Sequence, residues 1–198
     1  MKLHRTSAKK PTKLGILPGS FNPLTRAHVE LAEAARSHVD EVLLVVPSAF
    51  PHKDYSGATL EQRIAMIESV GLSMPRSIGV SDRGLFLDIA RECRAHYDPE
   101  LRLYFLCGRD AAERILTWDY GRPGVAEEML QDFELLVAPR GGRFQPPPGL
   151  EHRIHPLEIR DAFDAVSSSE VRERIARGDR WEHLVPESIV ELVRKIYS

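Results

Sequence analysis

Residues 41–46 (EVLLVV), 101–106 (LRLYFL) and 133–138 (FELLVA) are short apolar runs with almost no polar interruption. Runs of this kind suit strands covered on both faces, as in a parallel sheet with its crossovers packed above and below. The stretches between them supply those crossovers. Leu31, Ala35 and Val39 recur near one helical face within 27–39, and Leu60, Ile64 and Ile67 do so after Thr59, which forms a capping box with Gln62. Further helices are predicted over 86–96, 110–116, 125–130, 168–177, closed by Gly178, and 186–196, opened by Pro186. Strands at 14–17, 77–80 and 152–157 complete the alternation. It predicts a three-layer α/β fold with a mostly parallel sheet and right-handed crossovers.

A sheet wound this way binds ligands at the carboxyl ends of its strands, so chemistry is expected in the loops after Leu17, Val46 and Leu106. The first loop reads Gly19-Ser20-Phe21-Asn22-Pro23-Leu24-Thr25-Arg26-Ala27-His28 and runs from an apolar strand into a helix. Gly19 permits close approach of the backbone to an anion, and the positive end of the following helix favours phosphate. Thr25 and His28, three positions apart, share the first helical turn. An ordinary strand-to-helix turn with a capping residue and a solvated histidine has the same composition. The loop is neither a Walker loop nor a dinucleotide Gly-x-Gly-x-x-Gly.

A second polar helix start lies far along the chain at Val166-Ser167-Ser168-Ser169-Glu170-Val171-Arg172. Ser167 and Glu170 fit a capping box, and Ser168 and Arg172, four apart, face the same way. Alone this is a well-capped surface helix. Two anion-friendly helix starts in one α/β chain point instead to a phosphate ligand.

Composition narrows the remaining classes. The 198 residues carry 27 Lys and Arg against 29 Asp and Glu, a formal net charge of −2, which argues against the broad basic face of a nucleic-acid-binding protein. No apolar run approaches the roughly 18 residues of a membrane span, and the opening MKLHRTSAKKPTK lacks the apolar centre of a secretory leader. A cytoplasmic location without membrane partners is expected. Lys2, Arg5, Lys9, Lys10 and Lys13 give residues 1–13 the composition of a basic flexible tail, leaving 14–198 as a single domain able to bury its own core. Cys93 and Cys107 have no partner at metal-ligand spacing and read as reduced, buried side chains. His152 and His155 would point to opposite faces of a strand, which does not make a metal site. The Gly- and Pro-rich stretch 140–149 reads as a surface loop.

GSFNPLTRAH followed by VSSSEVR resembles the two signatures of the nucleotidylyltransferase superfamily, a Gly-x-Phe-x-Pro-x-[Thr/His]-x-x-His loop and a Ser-Ser-[Ser/Thr]-x-[Val/Ile]-Arg helix start. Pro51-His52-Lys53 with Arg63 downstream, Gly108-Arg109-Asp110 with Trp118, and Leu184-Val185-Pro186 before a last apolar helix look like the nicotinate and nicotinamide mononucleotide adenylyltransferases within it. The resemblance runs from about residue 14 to 197 and implies a Rossmann-like, nucleotidylyltransferase-like fold. It also implies adenylyl transfer from ATP to the 5′-phosphate of a pyridine mononucleotide with release of pyrophosphate, a step of NAD biosynthesis.

The resemblance implies roles for named residues. Gly19, Ser20, Phe21 and Thr25 would hold phosphate, His28 would stabilise charge growing at the α-phosphate, and Arg172 with Ser168 and Ser169 would clamp the β and γ phosphates. Gly108 and Asp110 would bind ATP, Asp110 at its ribose. His52, Lys53 and Trp118 would meet the mononucleotide; Trp118 reads equally as a core or interface aromatic and as a wall for the pyridine ring. Mg²⁺ would arrive on the ATP phosphates, with no protein side chain as its ligand. The partners would be the two small-molecule substrates, with a homo-oligomer left open.

The chain departs from the family pattern in three places. Ala27 stands where the family usually has Gly, and Thr25 where it has its first His. Gly84-Leu85-Phe86-Leu87-Asp88-Ile89 stands where the bacterial nicotinate enzymes carry a Ser-Tyr-Thr-x-x-Thr run beside the pyridine ring. An apolar wall of Leu85, Phe86 and Ile89 would penalise a carboxylate more than an amide, so both mononucleotides stay open, with a lean towards tolerance of the amide. A transferase acting on pantetheine phosphate or using CTP would share both phosphate motifs, as would a noncatalytic nucleotide sensor.

Overall fold

Strands β1 (Lys2–Arg5), β2 (Lys13–Pro18), β3 (Glu41–Pro47), β4 (Arg76–Ser81), β5 (Arg102–Gly108), β6 (Glu134–Ala138) and β7 (Ile154–Pro156) form one sheet in the order β1-β4-β3-β2-β5-β6-β7. The computed structural model describes residues 1–7, 10–48, 55–82, 84–139, 142, 144–159 and 166–197. Strands β2 to β7 run parallel and β1 runs antiparallel to β4. The helices are α1 (Arg26–Ala34), α2 (Leu60–Glu68), α3 (Phe86–Arg94), α4 (Arg109–Thr117), α5 (Val125–Asp132), α6 (Ser168–Arg177) and α7 (Val190–Tyr197).

Strict alternation along the strands divides the core in two. Leu14 and Ile16 of β2, Leu43 and Val45 of β3, Phe105 of β5 and Leu135 of β6 face the layer made by α3, α4 and α5. Leu17, Val42, Leu44, Leu106 and Leu136 face the opposite layer, which contains Ala32 of α1, Met66 of α2, Val171 of α6 and Val193 of α7. Both faces of the sheet are therefore dry, which is why its strands read as continuous apolar runs. Phe86 stacks on Phe105 at 4.4 Å and Phe105 meets Phe133 edge-on at 4.7 Å, fixing the start of α3 against the sheet.

The chain winds outward from β2 through β3 to β4, then returns to the other side of β2 for β5, β6 and β7. The winding direction reverses between β2 and β5, so the crevice for a ligand opens above their carboxyl ends. The loop after each of these strands leads directly into a helix, α1 and α4.

The expected basic tail is where the structure differs from the sequence reading. Lys2–Arg5 pairs with β4, Lys2 opposite Val80 and Leu3 opposite Gly79, with a register shift before Arg5. The Met1 side chain occupies the space beside Gly79, where an added Cβ would lie 2.7 Å from Met1 Sδ. A four-residue edge strand carrying Lys and Arg has too little apolar alternation to register as a strand, and its charges guard the exposed edge. Asp40 then fixes the start of β2 by accepting the backbone N–H groups of Thr12 and Lys13, both at 2.9 Å.

Candidate active site

Four helix starts converge on the crevice above β2 and β5. Ala27 and His28 of α1, Phe86 of α3, Gly108 and Ala111 at the start of α4, and Ser167 and Ser168 at the start of α6 line a cavity of about 370 Å³. Leu17, Leu106 and Cys107 form its floor. The first-turn N–H groups of a helix lack intrahelical partners and carry its positive pole, so four such ends around one crevice make a field for a polyanion.

His28 is held by its own helix cap. Thr25 is the N-cap of α1, and its backbone N–H donates to His28 Nδ1 at 3.0 Å, a place usually filled by Glu or Gln. A backbone amide can only donate, so Nδ1 is the acceptor and the ring proton sits on Nε2. The Thr25 hydroxyl lies 2.7 Å from the same Nδ1, and Phe21 packs edge-on against the ring at 5.1 Å. The imidazole is thus fixed in tautomer and plane at the wall of the crevice.

These contacts change the reading of three loop residues. Thr25 and Phe21 are fully buried, so they brace His28 and do not offer themselves to phosphate. Phe21 accepts a left-handed backbone, φ +48°, to reach that position. Gly19 N–H is already donated to Val45 O at 3.0 Å, so it does not hold phosphate; its missing side chain instead makes room for the Phe21 ring, which a Cβ would meet at 3.0 Å. Ser20 O accepts from Arg63 Nη1 at 3.4 Å.

The second motif lies against the first. Ser168 Oγ donates to Pro23 O at 2.8 Å and Arg172 Nη1 to Asn22 O at 2.6 Å, joining residues 145 and 150 positions apart. Arg172 Nη2 also reaches Ser169 Oγ at 3.3 Å. Ser167 caps α6 by accepting Glu170 N–H at 3.1 Å, but the expected capping box is only half formed. The Glu170 carboxylate turns instead to Arg174, at 2.8 Å, because an i,i+4 guanidinium is the stronger partner.

The remaining expectations fall differently. Gly108 is the N-cap of α4 and lines the crevice, with Asp110 exposed on the first turn beside it. Trp118 ends the same helix, 61% exposed, and is not among the residues that line the crevice. Of the apolar trio, Phe86 faces the crevice, whereas Leu85 is 71% exposed and Ile89 is buried in the core. An i,i+4 pair shares a helix face only inside the helix; Leu85 is the N-cap of α3 and splays outward. His52 and Lys53 lie outside the described residues. Cys107 forms part of the floor, and burial pushes its thiol up to about 12, which keeps it protonated and inert.

Residues 16–174 match the cytidylyltransferase-like family. A probable nicotinate-nucleotide adenylyltransferase of Moorella thermoacetica is 32% identical over 203 residues, covering 93% of this chain and 90% of that protein. The chain belongs to this family. A second relative with the same name, from Thermoanaerobacter sp. strain X514, is 30% identical and covered over 94% of each chain. The fold is also that of the Plasmodium falciparum nicotinic acid mononucleotide adenylyltransferase solved with NaAD, at a TM-score of 0.68 and 19% identity over 93% of this chain and 95% of that one.

Within the cytidylyltransferase-like frame, Asn22 is the residue that sequence reasoning misses. It is 5% exposed and bonds to Ser56, Ala58, Tyr197 and Arg172. Arg63 is 2% exposed, donates to Pro47 O at 3.1 Å as well as Ser20 O, and lies over the Tyr55 ring at 5.2 Å. Arg63, which the resemblance already sets downstream of Pro51-His52-Lys53, lies within the apolar stripe of α2, and its burial is what the structure adds.

Proposed function

We propose that the chain catalyses adenylyl transfer from ATP to nicotinate mononucleotide, releasing pyrophosphate and forming the dinucleotide, as one step of NAD biosynthesis. The observation that carries this reading is the convergence of four helix starts and the Nε2–H of His28 on one crevice. The names of the relatives and the ligand of the Plasmodium falciparum structure support the choice of substrates. Two free, buried thiols suit the cytoplasm, where such a reaction would draw on ATP.

An oxygen of the mononucleotide 5′-phosphate attacks the α-phosphorus of ATP, and the bond to the β-phosphate oxygen breaks in line. The nucleophile is already anionic, so the protein supplies position and charge stabilisation and no covalent nucleophile. His28 Nε2–H donates to the α-phosphate as charge builds there. Two donors of Arg172 hold it to Asn22 and Ser169, and the rest of its planar fork meets the β and γ phosphates with the start of α6. The backbone of Ser20 would contribute to holding phosphate, and Gly108 and Asp110 would take the nucleoside end. ATP would enter as its Mg²⁺ complex, the ion supplying charge neutralisation at the phosphates.

For the pyridine ring, Trp118 offers an exposed aromatic face, and His52 and Lys53 remain phosphate partners on the mononucleotide side. The start of α3 favours the acid. Its N-cap, Leu85, supplies no side-chain hydrogen bond, and Asp88 in its first turn is engaged with Arg91 at 3.8 Å. The test is pyrophosphate release and product analysis with ATP and each mononucleotide. Nicotinate adenine dinucleotide formed one-for-one with pyrophosphate is expected. Turnover only with pantetheine phosphate, or only from CTP, would assign a different transferase, and ATP binding without turnover would make the chain a sensor.

A further inference from the structure

Asn22 stands where four segments distant in sequence meet. Its Nδ2 donates to Ser56 O at 2.9 Å, its Oδ1 accepts the Ala58 N–H at 3.0 Å and the Tyr197 hydroxyl, and its carbonyl accepts from Arg172 Nη1 at 2.6 Å. Donors on one side of the carboxamide and an acceptor on the other fix its orientation, since a half-turn would set the NH₂ group against two donors. The fit is close. A Cβ on Gly57, φ +119°, would lie 2.5 Å from Asn22 Oδ1, so the chain needs glycine there both for its backbone and for the approach.

Tyr197 reaches this junction from the last turn of α7. Burial holds its hydroxyl above the ordinary tyrosine range, so it keeps its proton and stays a donor. On the other side of the loop Arg63 donates to Ser20 O and Pro47 O, at 3.4 and 3.1 Å. Pro47 precedes residues 49–54 and Ser56 follows them. Both flanks of that segment are therefore tied to the loop that carries His28, one through Arg63 and the other through Asn22.

We infer that Asn22 and Tyr197 are a positioning pair: Tyr197 fixes the Asn22 carboxamide, and Asn22 holds Arg172 and the backbone flanking residues 49–54 in register with the β2–α1 loop. The last turn of α7 thereby sets the geometry of the triphosphate end of the site without touching substrate. The inference rests on the adenylyl-transfer reading for the role of Arg172. Charge clamps are sensitive to such placement, because displacement by about an ångström costs on the order of 100-fold in rate.

Tyr197→Phe removes one hydroxyl and keeps the ring packing. Loss of that one hydrogen bond is expected to lower kcat/KM for ATP by roughly threefold to tenfold, mainly through KM, and to weaken ATP binding in calorimetry by the same factor. In an Arg172→Lys background the same substitution is expected to cost less than about twofold, because both changes act through one junction. Unchanged KM and ATP affinity with only a lower melting temperature would mean a structural role and overturn the inference, as would an undiminished loss in the Arg172→Lys background. A wild-type chain that binds ATP yet makes no dinucleotide overturns the functional reading instead, and the calorimetric pair still decides whether Tyr197 acts on Arg172.

Discussion

The His28 ring is held so that its orientation at the crevice wall is what the loop controls. Thr25 N–H occupies Nδ1, leaving Nε2–H as the donor at the crevice wall. A donor aimed at charge that appears only in the transition state contributes on the order of 10²- to 10³-fold. His28→Ala is accordingly expected to lower kcat by that factor with KM for ATP little changed; steady-state kinetics that left kcat within about threefold would remove His28 from the mechanism. Thr25→Val keeps the backbone bond and loses only the hydroxyl contact, so a drop of about tenfold or less is expected in the same assay. The placement of His28 and Arg172 in the opening turns of α1 and α6 is legible in the sequence, because each follows a recognisable capping residue by a few positions. The bracing by Thr25 and Phe21 is not, since residue identity does not say whether a hydroxyl faces a ligand or its own helix. Asn22 reads as a turn former for the same reason; only the structure gives it partners.

Elements are legible where apolar rhythm is strong and fade where charge interrupts it. Residues 41–46 and 101–106 declare β3 and β5, and the Thr59–Gln62 capping box declares α2, formed in the structure with Thr59 Oγ1 accepting Gln62 N–H at 3.3 Å. The edge strands β1 and β7 are shorter, with Met1 and Leu3 packing at one edge and Ile154 buried at the other, and β7 adds polar contacts. Glu134 at the start of β6 accepts from Arg102 Nη2 and pairs with His155 Nε2 of β7, both at 2.6 Å. Burial raises the Glu134 carboxyl, but the bonds from Arg102 and His155 outweigh it and leave the group below the ordinary carboxylate value. The folded chain then binds fewer protons there than the unfolded one, so the stabilisation is complete above the ordinary carboxylate range and lost as pH falls through the depressed value. Glu134→Gln should cost about 2 kcal/mol at neutral pH and flatten the fall in melting temperature below about pH 4.5; a parallel pH profile would rule this contact out as the acid-sensitive one. His38, lowered by burial and then by His155 and Lys13, adds a separate loss as pH falls below about 6.5, which the variant should retain. At the other end of the molecule, Ser167→Ala removes the α6 cap and is expected to cost about 1 kcal/mol in a denaturant melt, with Ser168 and Arg172 losing their fixed starting point.

What the whole molecule adds is adjacency. Periodicity tells which faces are buried but not which strand lies beside which, so the placement of β5 next to β2 and the 145-residue contact between Ser168 and Pro23 emerge only from the assembled sheet. The same assembly bears on the choice between acid and amide. From sequence, Leu85, Phe86 and Ile89 form one apolar wall that would disfavour a carboxylate; in the fold Leu85 leaves towards solvent and Ile89 enters the core, so that wall is reduced to Phe86. Beside Phe86 stands the start of α3, whose N-cap Leu85 gives no side-chain hydrogen bond and whose first turn carries Asp88, drawn to Arg91 at 3.8 Å. First-turn amides favour an anion by roughly 0.3 to 1 kcal/mol at the surface and up to about 2 kcal/mol in a partly buried setting, and give a neutral amide little. The acid is therefore expected to be the better substrate, with kcat/KM for nicotinate mononucleotide exceeding that for nicotinamide mononucleotide by about tenfold or more, equivalent to about 1.4 kcal/mol. Raising ionic strength should narrow the gap, because a helix pole is screened by salt whereas apolar contact is not. Equal values for the two mononucleotides, or a gap indifferent to salt, would mean that the Phe86 face reads the ring and the start of α3 does not.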